Sequence, residues 1–142
     1  MSVTVSPTNN IEFCQKNNLI TICKEECCEW SDCHFCHGTN EYETKIYPFE
    51  MNLSNGNFST LWNSLGLDFD YCGEISPEEL RDSLLNFDEE LLLRANHVEA
   101  NENGDAHFIS FGIDRERAIG YNKRLKAIVA EAFLRKTTIS WG

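Results

Sequence analysis

The stretch Asp114-Arg-Glu-Arg-Ala-Ile-Gly-Tyr-Asn-Lys-Arg-Leu-Lys-Ala-Ile-Val-Ala-Glu-Ala-Phe-Leu-Arg-Lys136 runs into Thr137-Thr-Ile-Ser-Trp-Gly142, and the change of pattern at Lys136 decides the fold class. Ala118, Tyr121, Leu125, Ile128 and Ala132 recur at three- and four-residue steps, with Val129 beside them. That is the apolar stripe of an amphipathic helix. Asp114 offers an N-cap oxygen, and Arg135 and Lys136 complement the negative end of the helix dipole. Gly120 weakens the first turns by about 1 kcal/mol relative to Ala. The β-branched and aromatic ending after Lys136 predicts a strand added at a sheet edge. A long helix feeding a strand predicts an α+β domain.

Working back along the chain, Asn103-Gly104 is a strong hairpin signal, because both central residues of a type I′ turn need positive φ. Folding there pairs Glu102 with Asp105, Ala100 with His107 and Val98 with Ile109, although the first pair is like-charged. Residues 51–95 read as helical. Phe58, Leu61, Trp62 and Leu65 share one helix face, with Ser54, Asn55 and Asn57 as candidate N-caps and Gly66 at the C-terminal turn. Ser76-Pro77-Glu78-Glu79 places a hydroxyl at N-cap, proline at N1 and glutamate at N3, which is a capping box opening a second helix through Leu80, Leu84 and Phe87. Asp88-Glu89-Glu90 is a candidate start for a further short helix.

Residues 1–50 read as short strands and turns. Ile11–Phe13, Leu19–Cys23 and Tyr42–Phe49 are the strand candidates, Asn17-Asn18 and Gly38–Asn40 the turns, and Pro48 marks a strand end. The expected architecture is one α+β domain over 1–142. It comprises a Cys-rich β portion (1–50), two or three short helices, the hairpin and the long C-terminal helix.

The 142 residues are enough to bury a hydrophobic core without disulfides. No apolar run approaches the roughly eighteen residues of a membrane span. The N-terminal Met1–Asn10 has neither a basic-apolar export pattern nor an arginine-rich amphipathic one, which predicts a cytoplasmic chain with reduced thiols. The odd cysteine count, seven, agrees with that expectation.

Six of those cysteines precede residue 50. Cys33-x-x-Cys36 followed by Gly38 has the form of a zinc knuckle, a turn that aims two sulfurs at one ion. Zinc takes four thiolate or imidazole ligands, so the expected set is Cys23, Cys27, Cys33 and Cys36, with Cys14, Cys28 and His37 as alternates. Cys23 and Cys27 lie one turn apart if that piece is helical. The alternative to a metal is a set of bare or redox-active thiols using Cys33 and Cys36, but no βαβ setting surrounds them. Cys33-x-x-Cys36-His37 also has the spacing of c-type haem attachment, which takes place outside the cytosol. Cys72 reads as a small buried residue. Neither His97 nor His107 is given a ligand role.

Neighbouring carboxylates such as Glu78-Glu79 do not face one another on a helix and make no acid/base dyad. Nucleophile-elbow, phosphate-loop, zinc-protease and EF-hand patterns are absent. The expected function is therefore a zinc-stabilised binding or adaptor protein with a protein partner, not an enzyme. Charge is segregated: residues 1–113 hold 5 Lys+Arg against 20 Asp+Glu and residues 114–142 hold 7 against 3, so the net −11 divides into −15 and +4. The acidic part repels nucleic acid, leaving the basic final helix as the one segment suited to a phosphate backbone. It also suits an alternative role, an acidic inhibitor or decoy that occupies the basic groove of a nucleic-acid-binding enzyme.

Overall fold

A computed structural model describes residues 2–28, 32–34, 36–68, 70–88 and 113–142. In chain order these form β1 (Ser2–Pro7), α1 (Asn10–Lys16), β2 (Thr21–Glu26), β3 (Glu41–Ile46), β4 (Met51–Ser54), α2 (Asn55–Ser64), β5 (Gly73–Ile75), α3 (Pro77–Leu85), α4 (Arg115–Arg135) and β6 (Ile139–Trp141). The class is α+β: among the described residues, four helices accompany two antiparallel sheets. Contacts divide the chain into a larger unit, Met1–Thr8 with Phe49–Gly142, and a smaller one, Asn9–Pro48. The Asn103-Gly104 hairpin lies outside the described residues, as does most of the segment begun by Asp88.

In the larger unit the strand order is β4-β1-β6-β5, antiparallel throughout. Val3, Val5 and Pro7 alternate inward along β1, as do Met51 and Leu53 along β4, giving the sheet one apolar face. α2 and α4 pack on that face, and α3 packs on α4. Their meeting surfaces bury Phe58, Leu61, Trp62, Leu80, Leu125 and Ile128.

Three of the four described helices, α2, α3 and α4, open on a side-chain cap. The Ser54, Ser76 and Asp114 side chains accept the backbone N–H of Asn57, Glu79 and Arg117 at 3.3, 3.2 and 2.8 Å. Such a cap is worth about 1 kcal/mol. At the far end of α4, Lys136 takes up a left-handed conformation (φ 53°) and Thr137 N–H closes on the Ala132 carbonyl, turning the chain back toward the sheet.

Three expectations are corrected. The ending after Lys136 is not an edge strand. β6 lies between β1 and β5, with Val5 opposite Trp141 and Ile75 opposite Ile139. Both of its edges are satisfied, which is why Ile139 is fully buried. Ile11–Phe13 is helical, not extended: the Asn10 amide donates to the Pro48 carbonyl at 2.9 Å, and the helix turns Cys14 inward. Within the stretch read as helical, Met51–Ser54 and Gly73–Ile75 are strands, because sheet partners outside their local sequence claim them.

Candidate metal centre

The smaller unit is built on the β2–β3 hairpin, whose register sets Cys23 opposite Thr44 and Glu26 opposite Glu41. Cys27 N–H donates to the Asn40 carbonyl at 2.8 Å, which extends the ladder one step and places Cys27 at the open end of the hairpin. Tyr42 and Glu25 brace that end, the phenol donating to the carboxylate across the strands. This bond holds the Tyr42 proton and raises the phenol above its ordinary range.

The connecting segment turns sharply back. His37 N–H donates to the Cys33 carbonyl at 2.9 Å, and Thr39 N–H to the Cys36 carbonyl at 3.0 Å. His37, Gly38 and Asn40 all have positive φ, at 50°, 83° and 64°. Glycine and asparagine tolerate that region well, so the Gly38–Asn40 turn signal is realised in backbone geometry. Thr39 Oγ1 lies within hydrogen-bond distance of the Cys36 and Glu41 carbonyls, at 2.6 and 2.8 Å, and ties the turn to the start of β3.

These constraints bring four sulfurs together. The Sγ atoms of Cys27, Cys28, Cys33 and Cys36 all lie within 4.8 Å of one another, and the Cys27–Cys33 separation is 3.6 Å. A tetrahedral ion with metal–sulfur bonds near 2.3 Å sets its ligand sulfurs about 3.8 Å apart, so the group can hold a metal with small adjustments. An all-sulfur tetrahedral set is the donor chemistry of zinc and of iron–sulfur centres.

Without a cation Cys27 favours its neutral thiol. Burial pushes the Cys27 thiol up from 9.0 to about 12; the Cys28 backbone N–H opposes this, while hydrogen bonds with the Cys33, Cys36 and Cys28 side chains add to it. A divalent ion inverts that preference by replacing the protons.

Cys27, Cys33 and Cys36, all expected ligands, fall within the group, and Cys28, an alternate, is the fourth. Cys23 is not among them. In a helix it would lie one turn from Cys27, but in the observed strand four residues span about 13 Å. The signal that separates the two cases is the β-branched start of β2, Thr21-Ile22, which favours extended backbone. Cys14 is buried on α1 with its thiol donating to Asn10 Oδ1 at 3.5 Å. His37 is exposed at the turn, and Cys72 is exposed in the larger unit, against its expected burial.

The basic residues of α4 divide as well. Arg135 pairs with Glu131 at 2.8 Å and lies over the Phe49 ring, whereas Lys123, Arg124 and Lys126 are exposed. No helix among the described residues is long and apolar enough to cross a membrane. No protein-family model matches this chain, and comparison with the curated proteins and with the solved structures likewise gives no match.

Proposed function

We propose that the chain is a zinc-stabilised binding module of a reducing, cytoplasmic environment, acting through a protein partner and without catalysis. The observation that carries the zinc assignment is the mutual approach of the Cys27, Cys28, Cys33 and Cys36 sulfurs to within 4.8 Å. Size supports it. The unit Asn9–Pro48 is roughly 40 residues, the length at which a domain usually needs a metal, disulfides or a partner. Among its described residues, only Asn10, Cys14 and Cys36 are buried. Exposed Ile22 and Ile46 on the hairpin support a binding role, since they are apolar side chains the unit leaves to solvent.

The test is metal analysis of the full chain purified under reducing conditions without added zinc, followed by chelation. The expected result is about one zinc per chain, with four thiols becoming reactive to a thiol reagent when the ion is removed. Less than half an equivalent, with hairpin signals indifferent to chelation, would overturn the zinc assignment. Iron in place of zinc would overturn the ion identity and leave the sulfur site standing. A Cys33–Cys36 disulfide that forms in spite of the reducing buffer would point instead to the thiol-redox reading.

A further inference from the structure

The hairpin of the smaller unit has two open edges, since its strand order is β2-β3 and no other described strand pairs with either. The bond from Cys27 N–H to the directly opposed Asn40 carbonyl fixes the phase of the ladder. Opposed residues that exchange such bonds recur at every second position, so Tyr42, Thr44 and Ile46 aim their main-chain groups at β2. Glu41, Glu43 and Lys45 aim theirs outward. Thr39 Oγ1 already lies 2.8 Å from the Glu41 carbonyl, which leaves Glu43 to Lys45 as the open stretch. Both of those side chains are exposed, as is Ile46 beside them.

An unpaired edge offers a row of main-chain donors and acceptors to another strand, and side-chain charge decides which strand fits. Against the β3 of a second copy, antiparallel pairing sets outward residues opposite outward residues. One register places Glu43 opposite Lys45 of the copy, and the two-fold axis makes that pair twice. Thr44 then meets Thr44 on the axis, and Tyr42 meets the exposed Ile46. Sliding the copy by two residues puts Glu43 on Glu43 in one direction and Lys45 on Lys45 in the other, so like charges penalise both alternatives. Lys45 is also suited to an outside carboxylate, because β2 sets Ile22 opposite it. The β2 edge lacks this self-complementarity. Its outward residues are Ile22, Lys24 and Glu26, and the register that pairs Lys24 with Glu26 sets Glu25 on Glu25.

We propose that β3 is a self-association edge, which joins the hairpins of two copies into one four-stranded antiparallel sheet in the register Glu43 opposite Lys45. A two-stranded hairpin is marginal in water, and a sheet of three or more strands is not. The mismatch on β2 stops the assembly at two copies. This adds a surface to the binding module proposed above, and it rests on the hairpin register, not on the ion. The strands are six residues long, so the contact is small and the dimer weak and reversible, with a Kd on the order of 100 µM.

Sedimentation equilibrium of the full chain, from about 10 µM to about 1 mM, tests this and should show a monomer–dimer equilibrium. Glu43→Lys and Lys45→Glu should each associate at least about tenfold more weakly, because each turns both charge pairs into like-charge pairs. An equimolar mixture of the two variants should recover the parental association, since each chain then offers the charge the other lacks. A second readout needs no variant. In the parent chain the Glu43 and Lys45 amides should exchange more slowly as concentration rises, while that of Leu125 is unchanged. A chain still monomeric at about 1 mM, association indifferent to both charge reversals, or a mixture no better than its parts overturns the proposal. So does dimerisation that leaves Glu43 and Lys45 exchange untouched. Metal content read on the same samples separates this from the zinc assignment: association with the charge dependence described, in protein free of zinc, upholds the edge and overturns the ion.

Discussion

The two units of this chain differ in how much apolar surface they bury. The larger one interleaves strands from both ends of the sequence and buries Val5, Met51, Phe58, Trp62, Leu125 and Ile139 under two helices. The smaller one offers a two-stranded hairpin and a seven-residue helix. A lone hairpin is marginal in water, since it has too little apolar area to offset the conformational entropy lost on folding. In the larger unit that deficit is met by area removed from water. In the smaller, on the function proposed, it would be met by an ion held by four sulfurs, whose bonds are strong and local. Apolar burial needs many residues, whereas coordination needs four ligands and the turns that aim them.

That contrast is open to disruption from either side, and the largest effect belongs to the sulfur site. Cys36→Ser removes a buried thiol of the sulfur group, so amide protection in Thr21–Glu26 and Glu41–Ile46 should disappear in hydrogen exchange while Leu125 and Ile128 stay protected. Equal loss in both regions would show that they fold as one.

The smaller unit should respond to pH in different ranges with and without metal. Bound thiolates compete with protons, so lowering the pH expels the ion and loosens the hairpin. In the metal-free chain the fold holds the Cys27 thiol neutral up to about 12 against an ordinary value of 9.0. That contribution is present below pH 9.0 and declines as the pH rises through the interval to about 12, because the unfolded chain ionises first. Circular dichroism across pH should therefore show the zinc-loaded protein loosening on the acid side and the metal-free protein loosening between pH 9.0 and about 12.

Breaking the other side, Leu125→Ala removes a fully buried side chain of α4 and should lower stability by about 3 kcal/mol in denaturant unfolding. The metal content should be unchanged. The smallest effect is a gain. A Cβ built at Gly120 meets nothing within 4 Å, so Gly120→Ala should stabilise the larger unit by about 1 kcal/mol, read as a raised denaturation midpoint.

Helix starts were the most legible part of the sequence. Ser76-Pro77-Glu78-Glu79 and Asp114 carry their own hydrogen-bond acceptors, and a cap works within three residues of itself. The α4 stripe was legible for the same reason, since its period is local. Strands were harder. Ser2–Pro7 and Met51–Ser54 exist because each completes the other, as the hydrogen bond between Thr4 and Asn52, 48 positions apart, shows, and no local pattern encodes that pairing. The metal group was legible in part. Cys33-x-x-Cys36 announced two ligands through their spacing. Whether Cys23 or Cys28 joined Cys27 depended on whether the backbone was helical or extended there.

By itself the sequence determined the α+β class, the caps of α3 and α4, the β-prone ending after Lys136 and the concentration of thiols before residue 50. Each of these depends on residues close together along the chain. Only the tertiary structure decided that β6 lies inside the sheet and that Cys28 joins the sulfur group. The physical reason is common to both. They are set by which distant segments pair or pack, and that choice is made by the burial and hydrogen bonding of the whole chain.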